Sequence, residues 1–549
     1  MEQQKTPSYI RIVRILLFAA LPVIDCIRTS TVIWQMMLAS QCIGTILAII
    51  IILHYGIKTF LKWRNLLWFL LCAILIATMP YWFYAELIKY HFLYEMQLAL
   101  FNMSLYGIIV STILWDKIKA DKKYLFTKIK SLFTFSHLPF MLWFGFILWA
   151  TMMKDNTERP EFDLLYFGIF YLITFHSDEL KELFDDLSNG ILCGFWAVQG
   201  FAFVFRPYVD AITRYPGMYS NSNLFDCICL MVLILSLIKL TDTRRKHSVR
   251  HWKYMLFLLN CGAVLSLIVM SIGRTTIATA LFMIAFYGIL ILAKEKDKFW
   301  KNLFLRALHF LVAFVIAFIL VFISASYIPK ILKHPIPEVS DYWVWGDLED
   351  DDNYVSVEEL LNASLGRFAA IFVDYDTPKT EISENQETIA SEPELPSETI
   401  ALDPDGPNQE YYLPEEYNSF DLRYAIWREY MDEFNLSGHV YEDWIVWVAI
   451  DDSYQHAHNI FIMLAFIYGI PSGLLFLGWM ISYILLSGKA FLRHYDESMK
   501  VAPAFIWLGV VLFGMFDCCW MYGQLSWFLL LFLFKFISNE TCKTGIDNK

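Results

Sequence analysis

The sequence predicts an all-α polytopic membrane protein with about fourteen transmembrane helices, both termini cytoplasmic and one large acidic loop outside the membrane. The chain has 549 residues, of which 57% are hydrophobic and only 18% are charged. A soluble domain has about 45–50% apolar and about 25% charged residues. Apolar runs of about 18 residues or more recur along the chain, and each can cross a hydrocarbon core of about 30 Å as a helix. Runs such as 310–322 do not alternate apolar with polar residues, as the strands of a membrane barrel would.

Fourteen apolar runs are candidates for membrane spans. The first follows Lys5, Arg11 and Arg14, as in a secretory signal, but no small-residue cleavage site comes after it, so we expect an uncleaved first span. The runs lie near 10–27, 31–57, 65–84, 94–115, 136–153, 162–177, 188–205, 222–239, 252–273, 275–293, 303–328, 458–486, 501–519 and 523–538.

The distribution of basic residues gives the orientation. If the N-terminus is cytoplasmic, the inner segments hold 30 of the 43 Lys and Arg residues and the outer segments hold 13. The basic clusters 117–130, 244–253 and 294–306 then all lie inside, as the positive-inside rule requires. Because the number of spans is even, the C-terminus returns to the cytoplasm.

The outer loop, residues 329–457, carries most of the acidic charge. It holds 30 of the 55 Asp and Glu residues and six basic ones, a net charge of −24. Its part 374–418 is rich in Glu, Pro, Ser and Thr, which indicates disorder or loose packing. An amphipathic pattern predicts a helix near 420–436 that lies on the membrane surface. An EF-hand spacing begins at Asp347, but its glycine position is Asp352, so a solvated acidic loop is the favoured interpretation.

These features divide the chain into four parts. Residues 1–187 form the N-terminal transmembrane helices. Residues 188–328 form the core helices with arginine-bearing outer loops. The acidic loop, 329–457, is followed by the C-terminal transmembrane helices, 458–549.

Arginines mark the outer ends of the core helices. Arg274 separates two apolar runs of 19 residues each, and since one helix of that total length would exceed the bilayer, the chain must turn back near Gly273 and Arg274. A buried guanidinium there needs an anionic partner or water; the alternative is an interfacial arginine that reaches the headgroups. Arg206 and Arg214 lie in the preceding polar outer connection, where Asn221 or Ser222 can cap the next helix. Each of these two arginines alone is equally compatible with a surface charge.

Polar residues also open the span that follows the acidic loop. His456 and His458 precede Asn459 at the predicted helix start, where the positive end of the helix dipole keeps an imidazole neutral. A neutral imidazole can act as a general base; the alternatives are a helix-capping pair, with Asn459 serving the backbone, or a metal site, for which no third ligand is evident. Asp517 is costly in lipid and should face a polar interior, where it can orient a His or an Arg.

Small residues and cysteines complete the pattern. Gly469 and Gly473, with a proline between them, favour close helix contact and a kink. The ten cysteines show no zinc spacing and lie outside the acidic loop. We therefore expect neither a metal nor another cofactor.

The order of these motifs resembles that of the O-antigen ligase and O-antigen polymerase superfamily over roughly residues 190–520. The motifs are Arg214-x-x-Gly217-x-x-x-Asn221-x-Asn223, Ser271-Ile-Gly-Arg274-Thr, Arg423-x-x-x-Trp427, and His458-Asn459 with Gly469-x-x-x-Gly473. Two positions depart from the pattern: Gly273 stands where many members have Ser, and Asn435-Leu-Ser-Gly438 lacks a common Pro.

The resemblance implies a metal-independent glycosyltransferase of the bacterial plasma (inner) membrane. Such enzymes act on the outer face and transfer glycan from undecaprenyl diphosphate to an acceptor hydroxyl. By position, Arg214 and Arg274 would bind the diphosphate and His458 would act as the base; Arg206, Arg423, His456, Asn459 and Asp517 are possible supporting residues. The implied partners are the lipid-linked glycan, membrane lipid, and a chain-length regulator and flippase of the same pathway; nucleic acid is not among them.

Three functions are compatible with these features. A polymerase of lipid-linked repeat units is the first choice. A ligase that transfers glycan to another acceptor (lipid A core, protein or cell wall) shares the same catalytic plan. A flippase or transporter of lipid-linked sugars would need charged residues in mid-membrane and repeated halves, and neither is evident in the sequence.

Overall fold

The computed structural model of the protein describes residues 6–30, 34–87, 93–124, 126, 137–153, 160–173, 175, 177–206, 208, 214–219, 221–246, 250–294, 299–332, 355–369, 419–440, 446–449, 452–454, 456–494, 498–517 and 524–546. Every predicted apolar run overlaps helical residues, and the run 458–486 overlaps two helices. The helices, in chain order, are α1 (Ser8–Ser30), α2 (Trp34–Tyr55), α3 (Trp63–Leu87), α4 (Leu93–Ile109), α5 (Trp115–Ala120), α6 (Leu138–Met153), α7 (Pro160–Leu172), α8 (Ser177–Phe205), α9 (Ser222–Lys246), α10 (Trp252–Met270), α11 (Arg274–Lys294), α12 (Phe299–Leu332), α13 (Val357–Ala369), α14 (Ser419–Asp432), α15 (Ile460–Tyr468), α16 (Ile470–His494), α17 (Ser498–Gly514) and α18 (Leu525–Ile546). A π-helical turn, Val110–Leu114, joins α4 to α5.

The helices identify a membrane protein. Within the described residues, seven helices are long and apolar enough to cross a bilayer, and five further apolar helices are shorter. The longest apolar helix, α12, exposes large side chains such as Leu311, Ile319 and Leu320 along one face. An apolar face of this extent is unfavourable in water and favourable against lipid.

Helix α9 lies at the centre of the helix bundle. Every residue from Phe225 to Leu240 is buried, and helices α8, α10, α11, α17 and α18 all contact α9. A helix that is surrounded by other helices can be apolar on all sides. The side chains of α9 between these two residues therefore pack against protein.

The predicted single span at 458–486 is wrong, because the chain forms two helices there. Helix α15 ends at Gly469, whose φ is +95°, and α16 then folds back along it: a Cβ atom at Gly473 would lie 2.7 Å from the Cβ of Ala465. The rings of Phe461 and Phe476 are 5.6 Å apart. Nine residues of helix extend only about 14 Å, so α15 cannot cross a bilayer alone, whereas α16 can.

The segment after α14 packs against this helix break. The amide of His439 donates to the carbonyl of Phe466 at 3.1 Å, and the amide of Ile470 donates to the carbonyl of Asn435 at 3.0 Å. These bonds satisfy backbone groups that the ends of α15 and α16 leave without helical partners. Side chains at Gly438 and Gly469 would lie 2.1 and 2.2 Å from backbone oxygens of the opposite segment, so both positions require glycine.

The described parts of the acidic loop include two helices, α13 and α14. Helix α13 begins with a capping box, in which Ser356 and Glu359 each accept from the other's amide. The helix predicted near 420–436 is present as α14, but its Ile426 and Tyr430 are buried, and the Tyr430 ring contacts Phe466 of α15 at 4.7 Å. These two side chains therefore pack against protein, whereas the sequence predicted that they would lie on the membrane surface.

The other loop predictions fall largely beyond the described residues. A short antiparallel hairpin, β1 (Val446–Ala449) and β2 (Asp452–Tyr454), precedes His456. The segment 374–418 and residues Asp347 to Asp352 of the calcium spacing lie outside the described residues. The boundary predicted between residues 187 and 188 falls within the continuous helix α8.

Charged side chains are buried within several helices, which the sequence reading had not recognised. Asp186 of α8 is fully buried and accepts from Arg11 of α1 at 2.7 Å. Lys239 of α9 is paired with Asp185. Lys535 of α18 donates to the carbonyls of residues 170, 171 and 173 at 2.5 to 3.2 Å, and so caps the C-terminal end of α7. These interactions join helices that are distant in sequence.

Candidate functional site

A cavity of about 450 Å³ lies where the ends of several helices meet. The start of α11, the end of α17, the start of α9 and helix α14 each contribute to its wall. Its polar lining includes three arginines and two aspartates, and its apolar lining includes phenylalanines of α11 and α17. The lining residues are Arg214, Asn223, Asp226, Ile272, Gly273, Arg274, Thr275, Thr276, Ala278, Thr279, Phe282, Arg423, Leu512, Phe513, Phe516 and Asp517.

Arg214 is bound by three protein acceptors. Its Nε donates to the carbonyl of Ser271 at 2.5 Å, one Nη donates to Oδ1 of Asn223 at 2.8 Å, and the other donates to Oδ2 of Asp226 at 2.9 Å. The backbone of Arg214 has φ = +67°, a left-handed conformation that non-glycine residues rarely adopt. Arg214 therefore connects the segment before α9 to the turn before α11.

Asp226, which the sequence analysis did not select, is an acidic group of the cavity that has several bonded partners. Its side chain is buried, and it accepts from the hydroxyls of Ser271 and Thr276 as well as from Arg214. The backbone of Gly273 lies against it, since a Cβ atom there would be 1.8 Å from Oδ2. The Asp226 carboxylate therefore occupies the space that a serine side chain at position 273 would need. This explains why the chain has glycine where many members of the superfamily have Ser.

The turn that carries Arg274 is as tight as predicted. Helix α10 ends at Met270 and α11 begins at Arg274, and Ile272 between them has φ = +53°. The amide of Tyr215 donates to the carbonyl of Met270 at 3.2 Å, which attaches the Arg214 segment to this turn. A left-handed non-glycine residue costs about 1–3 kcal/mol and persists only where its surroundings enforce it.

The histidines before α15 form a pair beside the cavity. The ring centroids of His456 and His458 are 4.1 Å apart with an interplanar angle of 79°, and His458 has φ = +48°. Among the residues that the structure describes, the buried Nδ1 atoms of both rings have no hydrogen-bond partner. Neither histidine is among the residues that line the cavity.

Electrostatic interactions connect the two histidines to residues that do line the cavity. Burial, followed by the proximity of His456 and of the Arg423 guanidinium, lowers the pKa of His458 to about 3. Burial also lowers the pKa of His456, against an opposing effect of Asp517. Both imidazoles are therefore neutral near pH 7, and each has one charged neighbour on the cavity wall.

Two further predicted residues have structural contacts. Asn459 caps α15, which the sequence analysis gave as an alternative: its Oδ1 accepts from the amides of Phe461 and Ile462, and its Nδ2 donates to the carbonyl of Met515 at 3.1 Å. Arg206 does not line the cavity; one of its Nη atoms donates to the carbonyl of Tyr219 at 2.9 Å. Asn221 accepts from the amide of Asn223 at the start of α9, as expected for the predicted cap.

The sequence analysis thus selected four residues that line one cavity, Arg214, Arg274, Arg423 and Asp517. Within the described ranges, no group of three His, Cys, Asp or Glu side chains is arranged to hold a metal ion. Comparison of the chain with protein-family models, with curated proteins and with solved structures gives no match.

Proposed function

We propose that the protein is an integral-membrane glycosyltransferase that polymerises undecaprenyl-diphosphate-linked oligosaccharide repeat units on the outer face of a bacterial plasma membrane. The observation that carries the proposal is the presence of Arg214, Arg274 and Arg423 in one cavity, with a neutral imidazole beside Arg423. Fourteen spans, cytoplasmic termini and an outer acidic loop belong to the same proposal and are supported by the helix positions and the basic-residue distribution.

The cavity suits a diphosphate attached to a sugar. Its volume of about 450 Å³ is in the usual range of small-molecule sites, about 300–1,000 Å³. Guanidinium groups bind phosphate oxygens through paired N–H donors and remain charged at every physiological pH. We assign contact with the two phosphates to Arg274 and Arg423, which separate elements contribute to the cavity. The acidic loop, with its net charge of −24, is unsuited to that role.

The transfer step requires one base and one stabilised leaving group. His458 accepts the proton of the acceptor hydroxyl as its oxygen attacks the anomeric carbon of the donor sugar. The bond between that carbon and the diphosphate oxygen breaks, and undecaprenyl diphosphate leaves with the bonding electron pair. The arginines stabilise the charge that develops on it.

Substrate binding would also tune the base. A pKa of about 3 makes His458 a weak base in the free protein, and general-base catalysis is most efficient when the pKa is near the operating pH. A diphosphate beside Arg423 would offset the positive charge that lowers the pKa of His458. The imidazole would therefore become more basic when the donor is bound.

A transporter of lipid-linked sugars remains the alternative that a specific observation favours. A transporter would need charged residues within the membrane, and the helices do contain buried charged side chains. These are Asp186, Asp226, Lys239 and Lys535. Each of these four side chains, however, is bonded to protein groups of another element. Fixed pairs of this kind are typical of structural contacts between helices.

The test uses purified protein in detergent or vesicles with purified lipid-linked repeat units. We expect chain extension on the lipid that continues in excess chelator, and a large loss of extension for Arg274→Lys, which keeps the charge but loses the paired donors. Extension restored only by added divalent cation would contradict the metal-independent mechanism. Transfer to another acceptor without extension would identify a ligase, and movement of the lipid without bond cleavage would identify a transporter; either result would overturn the proposed polymerase.

A further inference from the structure

Arg214 and Asp226 form an ion pair that is bonded to several protein groups in the wall of the cavity. All three guanidinium nitrogens of Arg214 already donate to protein acceptors. Asp226 is only 1% exposed, and both of its oxygens are engaged, Oδ1 by Ser271 and Oδ2 by Arg214. A phosphate could displace these contacts only by leaving Asp226 buried without its cation, which is strongly unfavourable.

The same pair holds together the turn on which Arg274 stands. Asp226 contacts Ser271, the Gly273 backbone and Thr276, which lie on both sides of Arg274. Arg214 also contacts this turn, since its Nε donates to the carbonyl of Ser271. Between these contacts lies Ile272 in its left-handed conformation. The pair thus contacts three residues that lie within three positions of Arg274 in the chain, Ser271, Gly273 and Thr276.

We propose that Asp226 and Arg214 are positioning residues that hold the turn 271–274, so that Arg274 and Arg423, and not Arg214, bind the diphosphate. The inference rests on the proposed function and changes the role that the sequence resemblance implied for Arg214. Because the two charges of the pair cancel, the pair adds no net charge to the cavity. Its contribution is the geometry of Arg274.

The test compares charge removal in the pair with charge removal at Arg274. The double variant Arg214→Gln/Asp226→Asn leaves two amides that can hydrogen-bond to each other and keeps the net charge of the cavity. Its affinity for farnesyl diphosphate, a soluble isoprenyl diphosphate, should fall by less than that of Arg274→Gln, because the turn is disturbed but no phosphate ligand is removed. The dependence of its affinity on salt should equal that of the wild type. Arg274→Gln should lose about tenfold or more and show a weaker salt dependence. Each single variant of the pair should be less stable to heat than the double variant, because it leaves one charge buried alone.

A folded double variant that loses as much affinity as Arg274→Gln would overturn the inference, since Arg214 would then be a ligand. A second measurement uses the wild-type protein and does not depend on the folding of variants. Modification by phenylglyoxal should be slow at Arg214 with or without farnesyl diphosphate, and it should be suppressed by that ligand at Arg274 and Arg423. Fast modification of Arg214 that the ligand prevents would contradict the positioning role.

These outcomes are distinguishable from failure of the proposed function. If the wild-type protein does not bind farnesyl diphosphate or its undecaprenyl equivalent, the proposed glycosyltransferase loses its donor site. The interaction between Arg214 and Asp226 is then tested by thermal stability alone. If the stability losses of the two single variants add up in the double variant, the pair does not hold the turn. If the double variant is more stable than either single variant, the pair is supported.

Discussion

A Cβ atom added at Gly273 would lie 1.8 Å from Oδ2 of the buried Asp226 carboxylate. Asp226 cannot move away easily, because Arg214 and Ser271 hold it on both oxygens. We therefore predict that Gly273→Ala displaces the turn and lowers chain extension by about 10²-fold, the loss typical of a misplacement of about 1 Å at a reacting site. Extension by the purified variant measures it.

The matched control for this substitution is Gly288→Ala in the same helix, α11. A side chain at Gly288 would meet nothing within 4 Å, so extension should be unchanged. Wild-type extension by a folded Gly273→Ala protein would show that the turn does not position a group needed for transfer.

The second prediction concerns the break between α15 and α16. Gly469 has φ = +95°, and a Cβ atom there would be 2.2 Å from the carbonyl oxygen of Leu436. The conformation alone costs a non-glycine residue about 1–3 kcal/mol, and the contact with backbone adds to that cost. Gly469→Ala should therefore lower the midpoint of thermal unfolding in detergent. Gly488→Ala in α16, which meets nothing within 4 Å, should leave the midpoint unchanged or raise it slightly; equal midpoints for the two variants would contradict the docked arrangement.

The third prediction concerns the dependence of stability on pH. The pKa of His458 is lowered to about 3 in the folded protein, whereas an unfolded histidine has a pKa of about 6.5. Between these values the unfolded state binds a proton that the folded state does not, so stability is lost as the pH falls from about 6.5 towards 3, by up to about 1.4 kcal/mol per pH unit. When the midpoints of unfolding are measured from pH 7.5 to 4.5, the midpoint of the wild-type protein should fall relative to that of His458→Gln. Parallel curves would show that His458 titrates normally.

The helix pattern was largely predictable from the sequence, because a bilayer requires long apolar runs and each run appears as helix. The turn at Arg274 followed from length alone, since the combined run was too long for one span. The cap at Asn459 followed from its residue type and its place before an apolar run. These features depend on local sequence.

The features that were missed depend on contacts distant in sequence. Gly469 was recognised as a site of close contact, but only packing of the segment at Asn435 shows that the chain reverses there. Asp226 lies inside an apolar run, and a charged residue in such a run is costly in lipid; that signal was present and would have identified it. Its partner Arg214 was selected for its charge, whereas the internal bonds that engage it are visible only in the folded chain.

The fourth prediction concerns topology. Thiols introduced at Glu387 and Asp405 in the acidic loop should react with a membrane-impermeant reagent added to intact cells, because the basic-residue distribution puts that loop outside. Thiols at Lys122 and Lys246 should react only after the membrane is opened, and the protein without introduced thiols gives the background. Protection of the acidic loop in intact cells would reverse the orientation and move the arginine cavity away from the outer face.

The central claim is that His458 is the base and that the arginine cavity binds the diphosphate independently of it. Chain extension from purified lipid-linked repeat units, measured beside farnesyl diphosphate binding for His458→Ala and His456→Ala, tests the claim most directly. We expect His458→Ala to lower extension by about 10²–10⁴-fold, as for loss of a positioned base, with unchanged diphosphate binding, and His456→Ala to have the smaller effect. Near-normal extension by a folded His458→Ala protein would contradict the account.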